Sequence, residues 1–118
     1  MSELIQEFKK KYSGLRYSNL IKRRKNEWWF TILPKAFIDK TLSLMLIHMR
    51  DKKAFILKLN TNNELSGIIP RKNGVHLSGC YDLYFMNVGN NIIDVKYITS
   101  KGYKTKRISN CIVEVVNI

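Results

Sequence analysis

The clearest pattern of hydrophobic and polar positions lies between residues 74 and 98. Two runs rich in β-branched and aromatic residues, 81–88 and 92–98, flank a Gly-Asn-Asn turn at 89–91. Glycine and asparagine tolerate the positive φ angles that tight hairpin turns need, so this stretch predicts a β-hairpin. Asp82 interrupts the first run, and we expect the sheet to hold this acidic side chain.

Shorter apolar runs bounded by turn-forming residues predict the remaining strands. These runs lie at residues 28–33, 54–59, 65–69 and 111–116. The polar, basic stretch 103–108 is either an edge strand or an ordered loop, since lysines on an edge oppose pairing with another chain. The mixed stretch 15–25 could form a further strand.

Two segments have the spacing of an amphipathic helix. In residues 2–11, Leu4, Ile5 and Phe8 share one face. In residues 35–49, apolar residues recur three and four positions apart, and Pro34 precedes them at a position where proline is favoured. The fold class is therefore α+β: a compact, mostly-β sheet or barrel-like domain with one N-terminal helix and one helix at about 35–49. At this length we expect one domain, 1–118.

The charge is strongly positive and unevenly distributed. Lys and Arg total 21 against 9 Asp and Glu, a net charge of +12. Eight of the cations but only two acids precede Asn26. Such asymmetry favours an anionic partner. The alternative is that the excess of basic residues reflects the composition of the genome or solubility alone. The candidate binding residues are Lys22, Arg23, Arg24, Lys25, Arg71, Lys72, Lys104, Lys106 and Arg107.

Trp28 and Trp29 follow the first basic run. They could form a platform on which nucleobases stack, or an anchor for a protein partner. Because a strand points successive side chains to opposite faces, the alternative places one tryptophan in the core and the other at an edge. We favour the alternating arrangement.

His76 and Asp82 are weak candidates for a catalytic pair, because an imidazole beside a carboxylate can act as a general base. The competing interpretation is structural: both groups satisfy backbone amides near a turn. The sequence has no glycine-rich phosphate loop and no nucleophile elbow, so it leans against an enzyme. His48, near the end of the predicted second helix, is assigned a structural role.

Cys80 and Cys111 form no CxxC pair and are predicted to be buried, reduced thiols. No metal motif is present, and no cofactor is predicted. The N-terminus has no apolar core of a signal peptide, and no run approaches the roughly 18 apolar residues of a membrane span. We therefore expect a cytoplasmic protein without a membrane segment.

The order of several short motifs resembles that of a known family. The motifs are Ser43-Leu44-Met45, the apolar run 55–57, Val75-His76, the Asp82-bearing run 81–85, the turn 87–91 and Val113-Glu114-Val115. In this order, residues 37–116 resemble the small prokaryotic and archaeal proteins of domain of unknown function family 192. The resemblance implies a compact, mostly-β fold and no particular activity. Residues 1–36 form a basic N-terminal segment outside it.

These observations favour a binding module for an anionic partner, with nucleic acid as the first hypothesis. Two alternatives remain open. One is a small-molecule or hydrolytic site around His76 and Asp82. The other is a protein–protein interaction domain that uses Trp28 or Trp29. The sequence leaves the oligomeric state unknown.

Overall fold

The computed structural model describes residues 2–12, 14–21, 24, 26–37, 40–71 and 79–118. The elements in chain order are α1 (Ser2–Lys11), β1 (Arg16–Asn19), β2 (Glu27–Ile32), α2 (Pro34–Phe37), β3 (Thr41–His48), β4 (Lys53–Asn60), β5 (Tyr81–Gly89), β6 (Ile92–Thr99), β7 (Gly102–Arg107), a 3-10 turn (Ser109–Cys111) and β8 (Ile112–Asn117). The sheet-dominated α+β class predicted from the sequence is confirmed.

Two four-stranded sheets form the body of the fold. The first sheet has the order β1-β3-β4-β8 and the second has the order β2-β5-β6-β7. All pairings are antiparallel except that of β1 with β3. The predicted hairpin is confirmed as β5 and β6, and Asn90 and Asn91 in its turn have φ angles of 43° and 63°.

The main core fills the space between the two sheets. Alternate residues of β2, namely Trp28, Phe30 and Ile32, point into it and are almost fully buried. Apolar side chains from the neighbouring strands complete it: Leu42, Leu44, Leu46, Phe55, Leu57, Leu59, Leu83, Phe85, Ile93, Val95 and Tyr97. The indole N–H of Trp28 donates to the carbonyl oxygen of Ile47 at 2.9 Å. The largest core side chain is therefore buried without an unpaired donor.

Helix α1 covers the outer face of the first sheet. Ile5 and Phe8 pack there against Met45, Ile47 and Ile56 in a second buried cluster. The predicted helix 2–11 is thus confirmed, and its apolar face faces the sheet as its spacing required.

The end of α1 is tied to β8 by polar contacts. The Glu114 carboxylate accepts hydrogen bonds from the Tyr12 hydroxyl at 2.7 Å and from the Lys11 ammonium at 3.0 Å. The Tyr12 hydrogen bond, followed by the Lys11 contacts, lowers the pKa of Glu114 below its ordinary value of 4.5. The carboxylate is therefore ionised at neutral pH.

The predicted helix at 35–49 is wrong for residues 41–48, which form β3. Helix α2 begins at Pro34, as predicted, but spans only Pro34–Phe37. Seven consecutive residues of β3, from Leu42 to His48, are buried because α1 covers one face of the strand and the second sheet covers the other. A strand buried on both faces is apolar at nearly every position, so its periodicity resembles that of a buried helix.

The position of His48 is corrected accordingly: it ends a strand, not a helix. Its side chain is fully buried. Nδ1 accepts the backbone N–H of Asp51 at 3.1 Å, and Nε2 lies 3.1 Å from Oδ1 of Asn26. These contacts are consistent with the structural role predicted for this histidine.

Two further strand predictions differ in outcome. The strand predicted at 65–69 is wrong: residues 61–67 form turns, and Ile68 makes an isolated bridge to Thr99. Of the two alternatives for residues 103–108, an edge strand or an ordered loop, the structure shows the edge strand, β7. Cys80 and Cys111 are both free and buried, as predicted. In the part of the chain that the structure describes, neither helix is long and apolar enough to cross a bilayer.

Candidate functional site

The second sheet presents its outer surface to solvent, and we name this surface the open face. It consists of the residues of β2, β5, β6 and β7 that point away from the core, none of which is buried. These residues are Glu27, Trp29, Thr31, Asp82, Tyr84, Met86, Asp94, Lys96, Ile98, Tyr103, Thr105 and Arg107. Aromatic, acidic and basic side chains are therefore interleaved on one surface.

Strand register brings distant residues into one row across the open face. Trp29 pairs with Tyr84, Tyr84 with Lys96, and Lys96 with Thr105. Residues directly opposite each other on neighbouring strands have Cβ atoms about 5 Å apart, so these side chains are neighbours. The row joins four strands that span most of the chain.

Two aromatic rings of the open face are exposed to solvent. Trp29 is 44% exposed and Tyr103 is 63% exposed. The rings of Trp29 and Tyr84 are nearly parallel, with an interplanar angle of 7° and centroids 6.3 Å apart. The ammonium of Lys96 lies 4.8 Å from the centroid of the Tyr103 ring. The face thus offers π surfaces with a cation between them.

The Tyr84 hydroxyl remains protonated at neutral pH. Burial, followed by the negative charge of Asp82, raises the pKa of Tyr84 above its ordinary value of 10.0. A neutral phenol can both donate and accept a hydrogen bond. Tyr84 therefore adds a polar group to the aromatic row without adding charge.

Asp82 is held by several donors at one end of the open face. Its Oδ2 accepts from Nε of Arg71 at 2.9 Å, and its Oδ1 accepts from the second guanidinium nitrogen. Oδ1 is also 3.2 Å from the indole nitrogen of Trp29 and 3.3 Å from the Thr31 hydroxyl. The carboxylate of Asp82 fixes the side chains around it, and this arrangement leaves it little freedom to act as a general base.

Each of the three described arginines that reach this surface is paired with a carboxylate. Arg24 lies 3.3 Å from Oε2 of Glu27, and Arg107 lies 3.0 Å from Oδ1 of Asp94. With the Arg71–Asp82 pair, three guanidinium groups are matched by three carboxylates. Lys96 adds a further positive charge in the middle of the face.

A cleft of about 440 Å³ opens beside the aromatic row. Its lining consists of Ile21, Arg24, Glu27, Trp29, Tyr84, Met86, Lys96 and Tyr103. A second cleft of about 470 Å³ lies next to the Arg71–Asp82 pair and shares Tyr103 with the first. Ligand pockets in proteins commonly measure about 300–1,000 Å³, so each cleft can hold a nucleobase or a small molecule.

A cleft of about 680 Å³, larger than the two beside the open face, lies away from that face. It is formed by polar turn residues such as Asn26, Asp51 and Asn91, and Lys53 already donates to Oδ1 of Asn91 at 3.0 Å. No aromatic side chain lines it. Its size therefore gives no reason to prefer it, because ligand sites usually combine apolar surface with a few polar groups.

The fold places only some of the predicted binding residues on the open face. Arg24, Arg71 and Arg107 reach the open face. Lys104 and Lys106 alternate to the other side of β7, where Lys104 lines a different cleft and the ammonium of Lys106 donates to the carbonyl oxygen of Asn63 at 2.7 Å. The other predicted residues, Lys22, Arg23, Lys25, Lys72 and the weak catalytic candidate His76, lie outside the described residues.

The alternation predicted for the tryptophans is confirmed, because Trp28 is buried and Trp29 is exposed. Sequence reasoning missed Tyr84, Lys96 and Tyr103. Tyr84 could have been found from the hairpin, since position 84 has the same parity as Asp82 and therefore shares its face.

Other chemistries have less support in the described residues. Burial, followed by a hydrogen bond to Glu64, raises the pKa of the Cys111 thiol to about 11. This thiol is thus protonated at neutral pH and is a poor nucleophile. Among the residues that the structure describes, no three His, Cys, Asp or Glu side chains come together as metal ligands.

Comparisons with protein-family models, with curated proteins and with solved structures found no match to this chain. The resemblance to domain of unknown function family 192 therefore stays a prediction. The chemistry of the open face is the basis for any inference about function.

Proposed function

We propose that this chain is a binding module for single-stranded nucleic acid, and that the open face is its binding surface. The observation that carries the proposal is the group of rings on the open face, namely the exposed Trp29 and Tyr103 and the half-buried Tyr84, with the Lys96 ammonium beside Tyr103. Proteins that bind single strands stack bases on aromatic side chains of a sheet and contact the backbone with cations.

The balance of charge on the open face favours a single strand over a duplex. A duplex hides its base faces and is bound mainly through its phosphates, which requires many unpaired cations. Here Arg24, Arg71 and Arg107 are each paired with a carboxylate. The net charge of +12 still draws a polyanion toward the protein, while the stacking surface supplies the local contact.

Fluorescence anisotropy with a labelled oligothymidylate of about 12 nucleotides tests the proposal. We expect saturable binding that a duplex of the same length competes for poorly. Replacing Trp29 or Tyr84 by alanine removes a stacking surface and should weaken binding by about 5- to 100-fold per ring. Val113→Ala is the matched control, because Val113 is similarly exposed on β8, away from the open face.

A salt titration sharpens the same experiment. For single strands, log K falls with log salt with a slope of about −0.7 per phosphate contact, so four contacts give a slope near −2.8. Absence of binding to any single strand at about 50 mM salt would contradict the proposal. Binding that Trp29→Ala and Tyr84→Ala leave unchanged would assign the interaction to another part of the chain.

The alternatives from the sequence have less support. The Asp82 carboxylate is already engaged by Arg71, Trp29 and Thr31, which disfavours a hydrolytic site built on it. A protein partner would use the same exposed Trp29. That reading would gain support if the oligonucleotide failed to bind.

A further inference from the structure

The cleft beside the aromatic row contains an ion pair that the proposed stacking role does not use. Arg24 and Glu27 line the cleft together with Trp29, Tyr84 and Tyr103. The guanidinium of Arg24 donates through Nη1 to one carboxylate oxygen of Glu27, Oε2, at 3.3 Å. Glu27 and Arg24 therefore present a donor and acceptors to the same small space that the rings enclose.

We propose that this cleft binds a guanine base of the single strand, read by the Arg24–Glu27 pair. This inference rests on the proposed function and adds a base preference to it. Sequence-specific readers of single strands hydrogen-bond the Watson–Crick edge of a base that is stacked on an aromatic ring.

The pattern of donors and acceptors is what selects guanine. Its Watson–Crick edge carries one acceptor, O6, followed by two donors, the N1–H and the N2 amino group. A guanidinium beside a carboxylate offers the complementary order, with a donor for O6 and two acceptor oxygens for the two N–H groups. A carboxylate binds two adjacent N–H groups well, because charge-assisted, bidentate hydrogen bonds are stronger than hydrogen bonds between neutral groups.

The other bases leave polar groups unpaired at the same position. Adenine and cytosine each offer one amino group, but the neighbouring ring nitrogen would place its lone pair against the carboxylate. Thymine and uracil offer a single N–H between two carbonyl oxygens. A site built to receive hydrogen bonds rejects analogues that lack them, since its own groups then remain unpaired.

The lining of the cleft also suits a purine. Met86, the cross-strand partner of Glu27, adds apolar surface between Glu27 and Asp94. Ile21 lines the same space, and its backbone N–H donates to the Glu27 carbonyl at 2.9 Å. That bond connects the chain before β2 to the strand that carries Glu27.

The test compares three labelled oligonucleotides of about 12 nucleotides: oligothymidylate, the same strand with one central guanine, and one with hypoxanthine at that position. A single guanine avoids folded guanine-rich structures. We expect the guanine strand to bind about tenfold more tightly than oligothymidylate. Hypoxanthine, which lacks the N2 amino group, should fall between the two.

Glu27→Gln identifies the group that reads the base. It replaces one acceptor oxygen by an NH₂ donor, so the ratio of guanine to thymine affinity should fall from about ten to about one. Asp94→Asn is the matched control, because Asp94 also faces outward on the open face but does not line the cleft. It should change the affinity for both strands by the same factor and preserve their ratio.

The outcomes separate this inference from the proposed function. Equal binding of the three strands by the unmodified protein would overturn the guanine site and leave the single-strand module intact. A guanine preference that persists in Glu27→Gln would overturn the assignment to this ion pair. No binding of any strand would overturn the proposed function itself.

Discussion

The outer faces of the two sheets differ in composition and in burial. The first sheet presents Met45, Ile47, Ala54 and Ile56 on its outer side, and α1 covers them. The second sheet presents aromatic rings interleaved with charges, and these side chains are half-buried or exposed. Both faces contain large side chains, yet among the residues that the structure describes only the apolar face is covered by another element of the chain. Under the proposed function, the second face keeps its rings exposed for a partner rather than for stability.

The largest expected loss of stability follows from replacing Trp28, which neighbours Trp29 in β2 but points inward. Trp28→Ala should destabilise the fold by about 3–5 kcal/mol, because it removes a fully buried ring and leaves a cavity. Trp29→Ala should cost less than about 1 kcal/mol, because the ring is already partly in water. Urea denaturation of both variants measures the difference. Equal losses would contradict the division between core and open face.

The next effect concerns the covered face of the first sheet. Phe8 packs from α1 onto this sheet and is 8% exposed. Phe8→Ala should lower the free energy of unfolding by about 3 kcal/mol, since large apolar truncations in a core cost about 3–5 kcal/mol and Phe8 lies at its margin. Chemical denaturation checks this, with the exposed Glu7→Ala as control. A loss below about 1 kcal/mol would mean that α1 is not part of the cooperative fold.

A smaller effect is expected within the open face itself. Asp82→Ala leaves the Arg71 guanidinium without its partner and removes the acceptor for Trp29 and Thr31, which should cost about 1–3 kcal/mol. Asp94→Ala breaks a similar pair, but Arg107 is 62% exposed, so the loss should stay below about 1 kcal/mol. Thermal denaturation of the two variants compares them. A larger loss for Asp94→Ala would contradict the role given to Asp82.

The smallest effect is the pH dependence of the contact between α1 and β8. Because the pKa of Glu114 is lowered in the folded state, its contribution to stability is complete above the ordinary value of 4.5 and disappears as pH falls through the lowered pKa. The melting temperature of the unmodified protein should therefore exceed that of Glu114→Gln at neutral pH. The difference should shrink below pH 4.5. A difference that is independent of pH would contradict the contact.

The sequence predicted the elements whose burial differs between their two faces. Helix α1 and the hairpin of β5 and β6 each have such a pattern, and each is confirmed. Strand β3 escaped prediction because helix and sheet cover it from both sides, which removes the polar positions that distinguish a strand from a helix. Local periodicity carries no information about which elements will pack on a segment.

The candidate site could be predicted only in part, for a related reason. Trp29 followed from the alternation of β2. The pairing of Trp29 with Tyr84 depends on the register between strands that are far apart in the chain, and so does the contact of Arg71 with Asp82. The sequence indicated a basic protein but did not show that the arginines of the open face would be neutralised by carboxylates.

The alternation along β2 has a consequence for how this protein can diverge. Residues that hold the sandwich together and residues of the proposed binding surface occupy successive positions of one strand, yet they do not share an environment. If the open face binds as proposed, substitutions at positions 27, 29 and 31 alter what is recognised, while positions 28, 30 and 32 preserve the scaffold. The proposed binding specificity could then change over generations without loss of the fold that carries it.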